Sequence, residues 1–459
     1  MRARLLVLCA GFAGLLFDGF ELGLMPLASL SVSRDLLGSG YTPTLGGDWF
    51  ARFTAALMLG AACGGILLGS LGDRIGRARA MGISIVFYSM FAGLGAWVET
   101  QEQMLVLRFL VGLGVGGVWP NAVALVAECW PDKTRPAVAG VMGAAINAGI
   151  LMLSQIAQIW SVTEDSWRWL FKLAGAPAVL GLFVLAFLPE SPAWLDARDR
   201  RRDTKRQIPV RELFRAPLIQ ITLIGITLGS IPLIGAWAAS KWMIPWADQI
   251  GGVARADYKA MTQGWWAFGA TLGSLAGGQI ASVLGRRRSY FLISLGSMAL
   301  TMAMFQLTAP LQPSFFPIVF TQGFVATLFF GWLPLYLPEL FPTHVRAAGS
   351  GISYNVGRFA TAVGVLTAGF LFSAVGGSYA SVGTVAALIY GLGMLAIWRA
   401  PDTTRASLGS VDIAPTERQQ TIRHDVRASG SDLLQHSTHR CPAAAGSRGM
   451  DGRPRPAPG

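Results

Sequence analysis

Apolar runs of bilayer length recur along most of the chain, and no other feature limits its fold as strongly. A helix needs about 20 mainly apolar residues to cross the hydrocarbon layer. Twelve runs qualify, at about 5–31, 50–70, 80–98, 104–128, 136–160, 168–189, 217–240, 261–284, 289–309, 314–338, 345–375 and 379–399. Backbone groups find no water inside lipid, so such runs must bond internally as helices. The expected fold class is an all-α membrane protein with twelve transmembrane helices.

Composition agrees. Of 459 residues 53% are hydrophobic and 14% charged, against roughly 25% charged in a soluble domain. The mean hydropathy is +0.48. Fifteen Trp and 56 Gly suit interfacial belts and close helix contacts. The net charge of +12 does not point to nucleic acid, because the bases sit in short loops between apolar runs. One set of loops carries Arg2, Arg4, Arg74, Arg77, Arg79, Lys133, Arg135, Arg286, Arg287, Arg288 and Arg346. The alternate set carries Glu99, Glu102, Glu164, Asp165, Asp248 and Asp257 with few bases. The positive-inside rule then places the first set and both termini in the cytoplasm. The setting expected is an inner membrane, with lipid as a partner and no nucleic acid. The first run has the basic start of a signal peptide. Asp18 and Glu21 interrupt it and no cleavage site is convincing, so it reads as a retained span.

Between the second and third runs stands Gly69-Ser-Leu-Gly72-Asp73-Arg74-Ile-Gly76-Arg77-Ala-Arg79, a glycine-rich basic hinge. A degenerate copy, Gly278-Gln-Ile-Ala-Ser282-Val-Leu-Gly285-Arg286-Arg287-Arg288, lies 209 residues on. After the fourth run comes Glu128-Cys-Trp-Pro131-Asp-Lys-Thr-Arg135, and after the tenth Glu339-Leu-Phe-Pro342-Thr-His-Val-Arg346, offset by 211. Two matches at nearly one offset indicate a parallel repeat, with a binding site at the interface of the halves. The expected organisation is a six-helix bundle over 1–189, a basic cytoplasmic linker over 190–216, a second six-helix bundle over 217–399, and a disordered tail over 400–459. The tail is rich in Ser, Arg, Pro and Gly and poor in large apolar residues. It also holds His424, His436 and His439, whose spacing is a weak metal signal. Cys9, Cys63, Cys129 and Cys441 are scattered singly. No metal site, disulfide or cofactor is expected.

The pattern G-x-x-x-D-R-x-G-R of the first hinge resembles the signature of the major facilitator superfamily. The resemblance covers roughly residues 5–400. It also rests on Arg108-Phe-Leu-Val-Gly112-Leu-Gly114-Val-Gly116-Gly117, on Leu188-Pro189-Glu190-Ser191-Pro192 and on Pro338-Glu339-Leu-Phe-Pro342. Within the superfamily these stretches look like the sugar-porter and metabolite/H+ symporter branches. Asp18-Gly19-Phe20-Glu21 is similar to the acidic D-G-x-D of aromatic acid/H+ symporters, with Glu21 in place of Asp. Ala193 stands where sugar porters usually have Arg, and Ser282 replaces the acid of the second hinge. The fifth run lacks the Gly-Pro signature of drug/H+ antiporters.

Charges inside apolar runs are the candidates for chemistry, since a charge at the bilayer centre costs roughly 2.5–3.5 kcal/mol on insertion scales. Asp18 and Glu21 lie one turn apart midway along the first run, and are expected to share a face and carry protons. The plainer alternative is that they join helices through an arginine. Arg108 either pairs with those acids or binds a substrate carboxylate; the resemblance implies a part in proton coupling. Arg358 lies inside the eleventh run, and the offset of 211 carries it onto Asn147 of the fifth. The resemblance puts both runs beside the central cavity, where a lone guanidinium suits an anion, unless it pairs with Asp18 or Glu21. Asn121, Asn147, Gln155 and Gln322 are possible polar lining, though each also suits a helix–helix hydrogen bond. Trp265 and Trp266 read as interfacial belt residues, with a cavity stack on a ring substrate as the alternative.

The hinge groups Gly69, Gly72, Asp73, Arg74, Gly76, Arg77 and Arg79 are expected to gate the cytoplasmic side with Glu128, Arg135 and Glu190. Gly285, Arg286, Arg287, Glu339 and Arg346 are expected to do so in the second half. In similar transporters such a network locks the closed gate. The alternative is charge that only sets topology.

The function expected is proton-coupled uptake of a small organic anion by alternating access, with the proton gradient as driving force and a monomer as the working unit. A monocarboxylate, aromatic acid or sugar acid would be the cargo. A sugar or polyol symporter is the second reading. A transporter-like receptor signalling through the tail is a third, from another class. No nucleophile–base constellation or phosphate loop suggests an enzyme.

Overall fold

The computed structural model describes residues 2–130, 135–191, 194–195, 210–342 and 345–403. Among them, twelve helical segments are long and apolar enough to cross a membrane. We number these spans one to twelve: Arg4–Gly40, Pro43–Ile75, Arg77–Trp97, Gln101–Cys129, Gly140–Ile159, Arg168–Phe187, Leu218–Gly251, Tyr258–Leu284, Arg286–Gln306, Phe315–Pro334, Gly349–Ala374 and Tyr379–Arg399. Each matches one expected run. Large apolar side chains such as Val179, Phe187, Val363 and Leu395 stay exposed on the outward faces, as a lipid-facing surface requires. Most of the linker and nearly all of the tail, with its three histidines, lie outside the described residues.

Two spans differ from their expected limits in ways that matter. Span one continues past residue 31, so Arg34 and Asp35 are helical. Span seven does not end at residue 240. Its first helix, Leu218–Ile234, passes into a π-helical turn at Gly235–Ala239 and a 3-10 turn at Ser240–Trp242. A second helix, Met243–Gly251, completes it. Pro232 withholds a backbone donor just before the break. Gly235 lets Tyr390 approach so closely that a Cβ there would lie 2.2 Å from its ring.

The sequence repeat reappears as packing. Span two crosses span four through glycines: a Cβ on Gly60 would lie 2.1 Å from the Phe109 carbonyl, and one on Gly64 1.9 Å from that of Leu113. Span eight crosses span ten in the same way. Gly269 meets the Phe320 carbonyl at 2.1 Å and Gly273 that of Phe324 at 2.1 Å. The glycines are offset by 209 and the carbonyls by 211. Only residues without a Cβ allow backbones this close. Spans one to six pack mainly on one another, as do seven to twelve. The main contacts between the two sets are span five on eight and span two on eleven, which are equivalent under the repeat.

Candidate functional site

A cavity lies where the two sets of spans meet. Its free volume is about 90 Å³, against about 10–15 Å³ for a single water. Spans one, two, four and five wall one side with Asp18, Leu22, Met58, Ala61, Val115, Trp119, Gly143, Ile146, Asn147 and Ile150. Spans seven, eight, ten and eleven wall the other with Leu233, Ala236, Trp237, Lys241, Trp266, Thr327, Phe330, Tyr354 and Arg358. The walls are mainly apolar and aromatic. Their charged groups are Asp18, Lys241 and Arg358.

Asp18 and Glu21 part company. Three residues on a helix amount to about 300° of rotation, so their side chains diverge by about 60°. Asp18 faces the cavity, is 1% exposed, and its Oδ1 has no hydrogen-bond partner among the described residues. Glu21 does not line it. Its Oε1 accepts from Arg108 Nη1 at 2.5 Å, and both side chains are sealed. Arg108 also lies over the Phe171 ring at 5.3 Å. The structure therefore corrects one expectation, since the acids do not share one site, and for Arg108 it shows the first of the two alternatives, a pair with an acid of span one.

Arg358 and Asn147 do meet at the cavity, as the repeat offset predicted. Arg358 Nη1 donates to the Ala61 carbonyl at 3.0 Å and to that of Gly116 at 3.5 Å. Its guanidinium thus reaches from span eleven to spans two and four without a carboxylate partner. Tyr354 lies under it at 5.3 Å and stacks on Trp119. Asn147 Nδ2 donates to Ser274 Oγ at 2.9 Å, tying span five to span eight.

The other three amides are not cavity lining. Asn121 Nδ2 donates to the Leu68 and Gly117 carbonyls at 3.0 and 2.8 Å, close under Gly72. Gln155 borders a separate groove beside Trp265 and Phe268. Gln322 sits behind the wall. Its Oε1 accepts from Trp266 Nε1 at 2.8 Å, and its Nε2 donates to Ser240 and Thr301 at 2.6 and 3.1 Å. Asn121 and Gln322 serve helix–helix joints, the alternative left open by their residue type, whereas Gln155 is exposed beside its groove.

Lys241 is the residue that sequence reasoning missed, and Trp266 takes the cavity position that was the second of its two readings. Lys241 fell just beyond the expected end of span seven, and Trp266 was paired with Trp265 as a belt residue. Trp265 is indeed exposed, but Trp266 is 3% exposed and walls the cavity. The signal was present: Trp242-Met-Ile-Pro-Trp246 prolongs the apolar run beyond Lys241.

The hinges are built as equivalent joints. Gly76 and Gly285 have φ of +117° and +83°, a conformation that favours glycine. Arg77 pairs with Asp73 at 2.6 Å and Glu128 at 3.6 Å. At the second hinge Arg286 pairs with Glu339 at 2.8 Å. Glu190 meets the hinge through backbone rather than side chains, accepting from the amides of Ala78 and Arg79 at the start of span three. Arg287 donates to the Ala400 carbonyl, and Thr403 to Glu339, so residues 400–403 are bound rather than free tail. Arg346 Nε donates to the Phe341 carbonyl at 3.3 Å. Arg74 and Arg79 are exposed, Gly69 lies against Pro120, and the Arg135 side chain lies outside the described residues. These bonds join helices within one set of six. Among the described residues, the ion pair between the sets lies at the opposite end, where Asp248 of span seven holds Arg34 of span one at 3.2 Å and is itself held by Lys259 of span eight at 3.0 Å. Lys259 also donates to Ser31 of span one at 2.9 Å.

Comparison with known proteins agrees with this architecture. The family described as sugar (and other) transporter matches residues 6–213 and 251–413. The chain is 30% identical to the cis,cis-muconate transport protein of Acinetobacter baylyi over 373 residues, 80% of this chain and 87% of that one. It is 24% identical to the sialic acid transporter of Escherichia coli over 377 residues, 81% and 87% of the two chains. In three dimensions it resembles the partially occluded, inward-open xylose transporter of Escherichia coli. The TM-score is 0.69 at 18% identity, covering 89% of this chain and 100% of the other.

Proposed function

We propose that this chain, which belongs to the sugar (and other) transporter family of the major facilitator superfamily, couples uptake of a small organic anion to a proton. Members of this family are transporters, not enzymes, so the cargo crosses unchanged. The observation that carries the reading is the pairing of Asp18 and Arg358 across one cavity, neither neutralised by an ion pair. A guanidinium that meets carbonyls and Tyr354, with no carboxylate within 4 Å among the described residues, keeps its charge for a cargo carboxylate, which its planar fork can hold through two bonds.

Asp18 would carry the proton. A buried carboxylate without a cation costs several kcal/mol, and a proton removes that cost. When anion and proton arrive together, the charge of Arg358 is neutralised and Asp18 is neutral, so neither of these two groups is left as a bare charge. Glu21 with Arg108 would hold spans one and four as a fixed frame for Asp18. The hinges would flex on the cytoplasmic side of an inner membrane, with both termini in the cytoplasm. The names of the relatives that carry an acid, muconate and sialic acid, favour an anionic cargo. A neutral sugar is the weaker reading, because Asn147, Thr327 and Tyr354 are the only uncharged side chains in the cavity wall with an amide or hydroxyl.

Liposomes holding the protein and an internal pH dye test this. Carboxylates and neutral sugars are added outside, with wild type, Asp18→Asn and Arg358→Ala. Acidification with a carboxylate, lost in both variants, is expected. Acidification with a neutral sugar that survives Arg358→Ala would overturn the anion reading.

A further inference from the structure

Lys241 has no part in the scheme above, yet it is the most unusual group in the cavity wall. It is 1% exposed, and its Nζ has no hydrogen-bond partner among the described residues. A buried lysine kept for structure finds an acceptor. Lys259, in the next span, has both a carboxylate and a hydroxyl. Lys241 has only aromatic faces, with Nζ 3.4 Å from the Trp266 ring centroid and 5.8 Å from that of Trp237. Such faces attract an ammonium without neutralising it. The π-helical turn before it is a local irregularity of the kind often found at functional sites.

We infer that Lys241 and Arg358 form two poles of one dianion site, and that the cargo is a small dicarboxylate with a flat, unsaturated skeleton. This rests on the organic-anion reading above and deepens it. The charge balance carries the inference. With the cargo bound and both Asp18 and Lys241 protonated, the cavity presents two cations and no carboxylate of its own. A monocarboxylate leaves one of them uncompensated in a low-dielectric site, whereas a dicarboxylate matches both. Trp119, Trp237, Trp266 and Phe330 supply flat apolar walls in the same cavity, which suit a conjugated skeleton over a hydroxylated one. Gln322 holds Trp266 and Ser240, the neighbour of Lys241, and so positions this pole.

Calorimetric binding to the purified full-length protein tests the inference with matched acids. Sorbate and trans,trans-muconate share one six-carbon diene and differ by a carboxylate; benzoate and terephthalate repeat the comparison on a ring. Wild type is expected to bind at least one diacid about tenfold or more tighter than its monoacid. Lys241→Met should remove that preference, weakening the diacid about tenfold or more beyond any change in the monoacid. Lys241→Arg, which keeps the charge and controls for folding, should retain it. Equal weakening of monoacid and diacid in Lys241→Met would make Lys241 a scaffold residue and overturn the inference. A wild type that binds monoacids as tightly as diacids would overturn it while leaving the anion reading intact. A wild type that binds none of the four acids but binds a neutral sugar would overturn both.

Discussion

Glu21 and Arg108 form an ion pair sealed between spans one and four, with side chains 1% and 0% exposed. Removing one partner strands the other charge away from water. Arg108→Ala or Glu21→Ala should each destabilise the protein by about 3–5 kcal/mol. The apolar double variant Arg108→Met/Glu21→Leu should recover most of that loss. Thermal unfolding in detergent reads both. Single variants as stable as wild type would show that the pair is not the frame for Asp18.

Asp248 joins the two sets of spans through Arg34, with Lys259 of its own set on its other oxygen. Asp248→Asn leaves two cations facing one another there. The population open at that end should rise by about tenfold or more, equivalent to about 1.4 kcal/mol or more. Spin labels at the exposed positions Ser39 and Val253 should report a larger share of long distances. An unchanged distribution would remove Asp248 from the gate.

Gly64 and Gly273 are equivalent close crossings. Alanine at either would set a Cβ against backbone that cannot yield, so each substitution should cost about 1–3 kcal/mol or more. Gly140→Ala, with nothing within 4 Å of its Cβ, should be neutral. Size-exclusion profiles and melting temperatures compare the three. Equal behaviour of all three would deny that these glycines set the helix crossings.

Gln322 accepts from Trp266 and donates to Thr301. Gln322→Leu leaves the buried Trp266 Nε1 unpaired, costing about 1–3 kcal/mol, while Thr301 keeps its bond to the Ser297 carbonyl. A lower melting temperature and a raised KM are expected together, because Trp266 walls the cavity. A raised KM at wild-type stability would place Gln322 in direct contact with cargo instead.

The parts of this molecule governed by length and repetition were legible in the sequence. Apolar length marks a span whatever its neighbours do, so all twelve appeared. The offset of 211 brought Asn147 and Arg358 to one cavity because both halves share one backbone plan. Direction within a helix was less legible. Asp18 and Glu21 diverge because three residues fall short of a full turn, and which of them meets a cation depends on Arg108, which is distant in sequence. Lys241 was hidden by the rule that charges end spans. That rule fails where a helix breaks inside the membrane beside a cavity, as span seven does at Gly235–Trp242.

Asp18 as the proton site is the central claim, and one paired measurement on Asp18→Asn tests it most directly. Vesicles loaded with unlabelled cargo are given labelled cargo outside, first with no proton gradient and then with one. The amide mimics a permanently protonated acid, so exchange without a gradient should persist near the wild-type rate. Gradient-driven accumulation and cargo-dependent acidification should both vanish. Accumulation and acidification that survive in Asp18→Asn would place the proton elsewhere and contradict the account.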